Sequence, residues 1–373
     1  MTPGLEVGTI VHRILDRNVW NRLVQGFAAA DFKQGFEWGE VRTEGGWVPT
    51  RFAAFKDGAC VAACSVLTQR IPGLGALMYA PRGPLFHKGE TTAVTKLVGE
   101  IRTLARSVGA IVVRFSPGIR MDDRIAIESL DEQGLVALPE ESTTWNTPRF
   151  VQVLDLRPDE KTLLGRVRKR MREYIAAAPR KGLVVEATTR EEDLLAFHAL
   201  MVNVGRIKGF PIREPAYFRR VLHHYRDTGS ALLVARAGGA IVGGLLAVHA
   251  GRQAYMLYTS VRSNTADPLK HHVAPAITWE FVRRARQAGC EIADLGGSGV
   301  QLPPTASDPG WGVYHFKAGL GCTLETFVPF RDLVLRPYLY KAFRLLESQV
   351  LPQAWTLAAR MPVLVPRFSG EGA

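Results

Sequence analysis

The sequence predicts an α/β protein in which one mixed unit is used twice. Three observations predict it. Two β-rich runs flank a tight-turn signal at Asp57-Gly58 in RFAAFKDGACVAACSVL (Arg51–Leu67), and the pattern returns around Gly238-Gly239 in ALLVARAGGAIVGGLLAV (Ala231–Val248), about 180 residues on. A helical stretch, a glycine and an apolar strand follow one another in IRTLARSVGAIVVRF and again in FVRRARQAGCEIADL, so that Ala105 matches Ala285 and Gly109 matches Gly289 at an offset of 180. Finally, 373 residues exceed the usual single domain and allow each half its own core.

Taken in order, the elements divide the chain into a first domain at 1–150 and a second at 151–373, the second including a basic helix at 165–182 and a C-terminal helix. The glycines at 109 and 289 each end a helix where a left-handed residue is cheap, just before a strand returns to the sheet. The most apolar stretch, Ala231 to Ala250, is broken by Arg236 and Gly238-Gly239, so it reads as a hairpin and not a membrane span. Hairpin, strand, helix and strand in that order make a unit of the acetyltransferase (GNAT-like) type. An acyl-CoA enzyme of that fold needs a glycine-rich turn opening the helix, where backbone N–H groups cradle the pyrophosphate. LFHKGETTAVTKL and DPLKHHVAPAITW have no glycine pair, which counts against CoA and leaves no cofactor expected.

Composition narrows the class. With 47% hydrophobic and 22% charged residues the chain is an ordinary globular protein, not a disordered or fibrous one. Lys and Arg number 47 against 35 Asp and Glu, a net charge of +12 that favours polyanionic partners: RNA, nucleotide phosphates or anionic lipid. Cys60, Cys64, Cys290 and Cys322 form no CxxC pair and have no His partners at zinc spacing, so free thiols and no metal are expected. The N-terminus lacks the apolar run and cleavage site of a signal peptide, which points to the cytoplasm.

Four stretches carry a family resemblance: QGFEWGEVR (Gln34–Arg42), MYAPRGPLF (Met78–Phe86), VGRIKGFPIREPAYF (Val204–Phe218) and YHFKAGLG (Tyr314–Gly321). In this order and spacing the chain resembles the Fem family of tRNA-dependent peptidyltransferases, which build peptidoglycan cross-bridges. The resemblance implies two tandem acetyltransferase-like domains with a cleft between them. It also implies a monomer that moves Gly, Ala or Ser from aminoacyl-tRNA to the diamino acid of a muramyl pentapeptide carried on UDP or on a lipid pyrophosphate. No coiled-coil insertion is present, so the chain is similar to the compact members.

The residues then take roles. Lys317 stands in the Phe-Lys block, where a fixed cation can face the tetrahedral oxyanion; a surface lysine at a strand end is the alternative. Phe316 either packs or, as the resemblance implies, helps place the tRNA acceptor end. Arg42 and Arg206 match the family's phosphate contacts, and an Arg fork suits a phosphate, although Arg42 also fits a helix-surface charge. Arg82, between Pro81 and Gly83-Pro84, sits in a rigid turn and serves either the site or the turn. Tyr255 and Tyr258 on AYMLYTS either bond the stem peptide or line the sheet. Where many relatives carry an acid before proline, this chain has Ser116-Pro117, which leaves no carboxylate base there.

Between the halves, GRVRKRMREYIAAAPRKG (Gly165–Gly182) places Arg166, Arg168, Lys169, Arg170, Arg172, Arg180 and Lys181 against one acid, Glu173. Its apolar residues recur at helical spacing and predict one amphipathic helix. Arg168, Lys169 and Arg172 are the candidate tRNA contacts; peripheral contact with a membrane surface and a merely solvated face are the alternatives.

Overall fold

The computed structural model describes residues 8–139, 147–209, 211–262, 268–299, 304–308 and 310–350, and the chain divides into two compact units. Phe210, inside one of the four motif stretches, lies outside the described residues. In the first unit, β1 (Ile10–Arg13), α1 (Arg17–Gln25) and α2 (Phe36–Thr43) precede the hairpin β2 (Val48–Lys56) and β3 (Ala59–Ile71). Then come β4 (Gly75–Arg82), β5 (Leu85–Phe86), α3 (Thr91–Ser107), β6 (Ala110–Pro117), α4 (Arg124–Asp131) and β7 (Val136–Ala137). The second unit runs through β8 (Phe150–Asp155), α5 (Glu160–Arg166), α6 (Lys169–Ala177), β9 (Leu183–Thr188), α7 (Glu191–Lys208), α8 (Pro215–His224) and the hairpin β10 (Ala231–Ala237) and β11 (Ala240–Ala250). It closes with β12 (Gln253–Val261), α9 (Val273–Gln287), β13 (Ile292–Gly297), α10 (Trp311–Gly319) and β14 (Thr323–Thr326), after which β15 (Arg331–Val334) and α11 (Pro337–Leu345) follow.

The duplication is visible in backbone detail. Both hairpins turn through two left-handed residues, Asp57 and Gly58 (φ 51° and 79°) and Gly238 and Gly239 (φ 56° and 79°), the geometry that matches strand twist. Each carries a bulge two residues before the turn on its first strand, opposite Ala54/Phe55 and Ala235/Arg236, so that Val61 and Val242 are the extra residues on the partner strands. In both units a long helix buries one stripe on the sheet: Val94, Leu97, Val98, Ile101 and Ala105 on α3, and Ile277, Phe281, Val282 and Ala285 on α9. Gly109 (φ 65°) and Gly289 (φ 79°) then turn the chain into a strand parallel to its neighbour, β6 beside β4 and β13 beside β12.

Two expectations fail. The chain beyond residue 325 does not stay with the second unit. β15 pairs antiparallel with β6 from Arg331↔Phe115 to Val334↔Val112, and Asp332 takes the Arg114 guanidinium in a bidentate ion pair, Nε to Oδ1 at 2.8 Å and Nη2 to Oδ2 at 2.7 Å. The described C-terminal helix, α11, goes with it. The sheet of the first unit thus runs β1-β2-β3-β4-β6-β15-β7 and that of the second β14-β8-β13-β12-β11-β10-β9.

Nor is 165–182 one helix. α5 ends at Arg166, Val167 and Arg168 are extended (ψ 137° and 140°), and α6 starts at Lys169 and gives way to a 3-10 turn at Pro179–Lys181. The cause is packing: Val167 is driven into the core, and the Arg168 N–H donates to the Gly319 carbonyl at 2.8 Å instead of continuing the helix. Ala231–Ala250 is a hairpin as expected, and no helix among the described residues is long and apolar enough to cross a membrane. All four cysteines are free.

Candidate active site

In the first unit the blocks QGFEWGEVR and MYAPRGPLF are locked together by one side chain. The wholly buried Gln34 accepts from the Ser65 N–H at 2.7 Å and donates to the carbonyls of Pro81 (2.6 Å) and Ser65 (3.2 Å). A Cβ on Gly83 would collide with the Gln34 amide, which is why glycine follows Arg82. Arg82 itself is buried in the left-handed region (φ 58°), costly for a residue with a Cβ. Three partners hold it: the Asp31 carboxylate at 3.5 Å, the Pro148 carbonyl at 2.8 Å and the Phe327 ring, 4.0 Å from the guanidinium carbon to its centroid. Arg82 is therefore committed within its own unit.

Beside this turn, the Tyr79 hydroxyl lies 3.1 Å from the Ser116 Oγ and 2.6 Å from the Thr147 Oγ1, and Ser116 accepts from the Arg82 N–H at 3.1 Å. Ser116 thus completes a buried hydroxyl cluster where an acid was sought. Burial raises the Tyr79 phenol above its ordinary pKa, against the pull of those bonds and of the Arg82 and Arg42 charges. Arg42, in the last turn of α2, is half-buried with its guanidinium 5.3 Å over the Trp47 ring.

The second unit holds the candidate chemistry. β12 and β13 pair as parallel strands only from Gln253↔Ile292 to Tyr255↔Asp294, then part. Beyond the parting, Gly296 is left-handed (φ 79°), and its N–H donates to the Asp294 carboxylate at 2.6 Å. That turn aims two carbonyls at one cation. Lys317 on α10, its residue 4% exposed, donates to the Gly296 oxygen at 2.9 Å and the Gly297 oxygen at 2.7 Å. Two carbonyl dipoles neutralise an ammonium only partly, and burial pushes the Lys317 pKa down to about 8, against the upward pull of the Asp294 carboxylate. Burial likewise pushes the Cys322 thiol up to about 12, so it is neutral.

A cation that has given two of its three N–H bonds to carbonyls keeps one donor for an oxygen that becomes negative. The helix carrying it is pinned by a buried amide. Gln152 on β8 accepts from the Ser298 Oγ at 2.6 Å and donates to the Tyr314 carbonyl at 3.2 Å. Asp294 and Gln152 were missed in the sequence. An acid two residues before paired glycines was a usable signal for Asp294; nothing local marks Gln152.

The remaining residues scatter. Phe316 is partly buried and packs against the core of the second unit. Tyr255 is buried with its hydroxyl donating to Gln253 at 2.9 Å, while Tyr258 packs edge-on against Phe218 and Tyr217, at 5.0 and 6.1 Å between ring centroids. Three residues apart, they would face opposite ways on a regular strand. A bulge between the pairs Leu246↔Tyr258 and Ala247↔Met256 brings them to one face. Arg206 is exposed in the last turn of α7. Arg168 and Lys169 are exposed, but the Arg172 guanidinium donates to the Gly165 (3.1 Å) and Val167 carbonyls, closing the end of α5. Among the described residues no group of three or more His, Cys, Asp or Glu could hold a metal.

Comparison with known proteins agrees with this architecture. The FemAB family model matches residues 15–240, and an acetyltransferase (GNAT) domain model matches residues 165–317. The lipid II:glycine glycyltransferase of Staphylococcus haemolyticus is 22% identical over 90% of this chain and 96% of its own length. That of Staphylococcus aureus (strain USA300) is 21% identical over 88% and 93%. Among solved structures, FemX superposes with a TM-score of 0.80 at 18% identity, over 91% of this chain and 100% of its own. A tandem GNAT protein from the clavulanic acid biosynthesis pathway reaches 0.54 at 15% identity, over 87% and 98%. Both share the fold.

Proposed function

This chain belongs to the FemAB family of transferases, and from that premise we propose that it moves an amino acid of the Gly, Ala or Ser type from aminoacyl-tRNA to the side-chain amine of the stem-peptide diamino acid in a peptidoglycan precursor. The amine attacks the ester carbonyl, the C–N bond forms, and the C–O bond to the terminal ribose breaks. The ribose hydroxyl leaves with a proton, and the product is an amide. One observation carries the reading: Lys317, buried where β12 and β13 part, is a partly compensated cation that can meet the tetrahedral oxyanion. Phe316 contributes packing beside it.

Arg42 and Arg206 are assigned to the acceptor's phosphates, with Tyr258 and Tyr255 toward the stem peptide and Arg82 as the holder of its turn. Glycyltransferases of lipid II among the relatives favour the lipid-linked acceptor over the UDP-linked one, which implies work at the inner face of the membrane by a cytoplasmic monomer. The exposed Arg166, Arg168, Lys169, Arg170, Arg180 and Lys181 supply charge for tRNA phosphates.

A CoA-dependent N-acyltransferase is the second reading, favoured by the acetyltransferase domain match. It needs a backbone cradle before α9, yet the sequence has no glycine from Arg252 to Ala288. Reconstitution with individually charged tRNAs, acetyl-CoA, and lipid- and UDP-linked pentapeptide separates the two by mass spectrometry. A single added amino acid on the lipid-linked acceptor is expected. Transfer from acetyl-CoA alone would contradict the proposal.

A further inference from the structure

We propose that Trp311, Tyr314 and His315 on α10, with Arg168 beside them, form a stacking platform for the unpaired 3′ bases of the donor tRNA. The inference rests on the aminoacyl-tRNA reading and gives it a place on the protein. The three rings lie at i, i+3 and i+4, one face of a helix, with centroids 5.4 Å (Trp311 to Tyr314) and 5.8 Å (Trp311 to His315) apart. A nine-residue helix ordinarily turns its aromatic side to the core. Here the core side is Phe316 and Leu320, while Trp311 and Tyr314 are only half-buried and His315 is exposed.

Charge selects the occupant. α10 (WGVYHFKAG) has no acid, and the Arg168 guanidinium lies against the His315 ring with Nη1 3.3 Å from the His315 carbonyl oxygen. Gly319 lets the basic segment come this close, since a Cβ there would strike the Met171 sulfur. Aromatic faces interleaved with cations are how proteins hold single-stranded nucleic acid: bases stack and phosphates pair. Position fits the chemistry as well. Tyr314 precedes Lys317 by three residues, roughly 4.5 Å along a helix axis, so a base stacked there brings the terminal ribose ester to the ammonium. Phe316 is half-buried like Trp311 and Tyr314, but it packs against the core of the second unit, which leaves the other three rings for stacking.

The test uses the full chain and a labelled single-stranded RNA oligomer ending in CCA, with binding read by anisotropy and by quenching of tryptophan fluorescence. Trp311→Ala is expected to weaken binding about 10- to 100-fold, with a parallel rise in KM for aminoacyl-tRNA and none for the acceptor, whereas Trp311→Phe retains most of the affinity. His315→Ala, at an exposed position that does not threaten folding, is expected to weaken binding several-fold. Wild-type affinity in folded Trp311→Ala and in His315→Ala overturns the platform. So does a loss confined to anionic phosphatidylglycerol vesicles, which would assign the face to lipid. If the wild-type protein transfers from charged tRNA while both variants behave normally, only the platform fails. If it neither transfers from charged tRNA nor binds the oligomer, the donor reading fails first.

Discussion

The strands β6 and β13 occupy the same place in the two units, and at the same position along them, 180 residues apart, stand Arg114 and Asp294. In the first unit the parallel ladder, after one register shift at Ala76/Leu77, runs on from Leu77↔Val112 to Arg82↔Pro117, and β15 closes the other side. Arg114 is sealed there with no exposed surface, gripped by Asp332 and by Glu347 at 2.5 Å. Burial alone would lower its pKa; its two acids outweigh that and hold it above the ordinary value. In the second unit the ladder stops at Tyr255↔Asp294, and the carbonyls that follow turn to Lys317. One fold position has become a structural clamp in one copy. In the other it is an opening with a cation short of partners. A buried charge that is fully matched holds structure, and one that is undermatched is available for chemistry.

That contrast can be broken by mutation, and the largest effect belongs to the clamp. Arg114→Met leaves Asp332 and Glu347 buried without their cation and is expected to cost about 3–5 kcal/mol in chemical denaturation. A loss below about 1 kcal/mol would mean that the network is not a clamp. A smaller effect is expected at the opening. Asp294→Asn removes the carboxylate that supports the Lys317 charge and the Gly296 turn, so transfer should fall about tenfold. Its alkaline limb, near pH 8 in the wild type, should move to lower pH, because the ammonium loses a stabilising neighbour. A limb that stays in place contradicts the coupling. The smallest effect is expected from Arg42→Ala and Arg206→Ala, assigned to the ground-state acceptor. KM for the acceptor should rise several-fold with kcat little changed, and a fall in kcat alone would remove them from that role.

The sequence carried what is local and periodic. Asp57-Gly58 and Gly238-Gly239 announce their turns because few residues tolerate two successive left-handed conformations, and the apolar stripes of α3 and α9 announce their burial. Lys317 was legible through its motif. What sequence reasoning missed depends on distant partners. Asp332 meets Arg114 across 218 residues and Ser298 meets Gln152 across 146, and no local pattern records such pairings. The break at Val167 was hidden for a related reason: the helical spacing continues through it, but the core takes the side chain and the Gly319 carbonyl takes the next N–H.

Lys317→Met tests the central claim most directly, with single-turnover transfer and acceptor binding measured side by side. Because the folded pKa of about 8 lies below the ordinary 10.5, the wild type gains stability as pH rises between those values, and the variant should lack that gain while remaining folded. If the ammonium meets the oxyanion only in the transition state, transfer by Lys317→Met falls about 10²- to 10³-fold while acceptor affinity holds. Near-normal transfer by the folded variant would contradict the account.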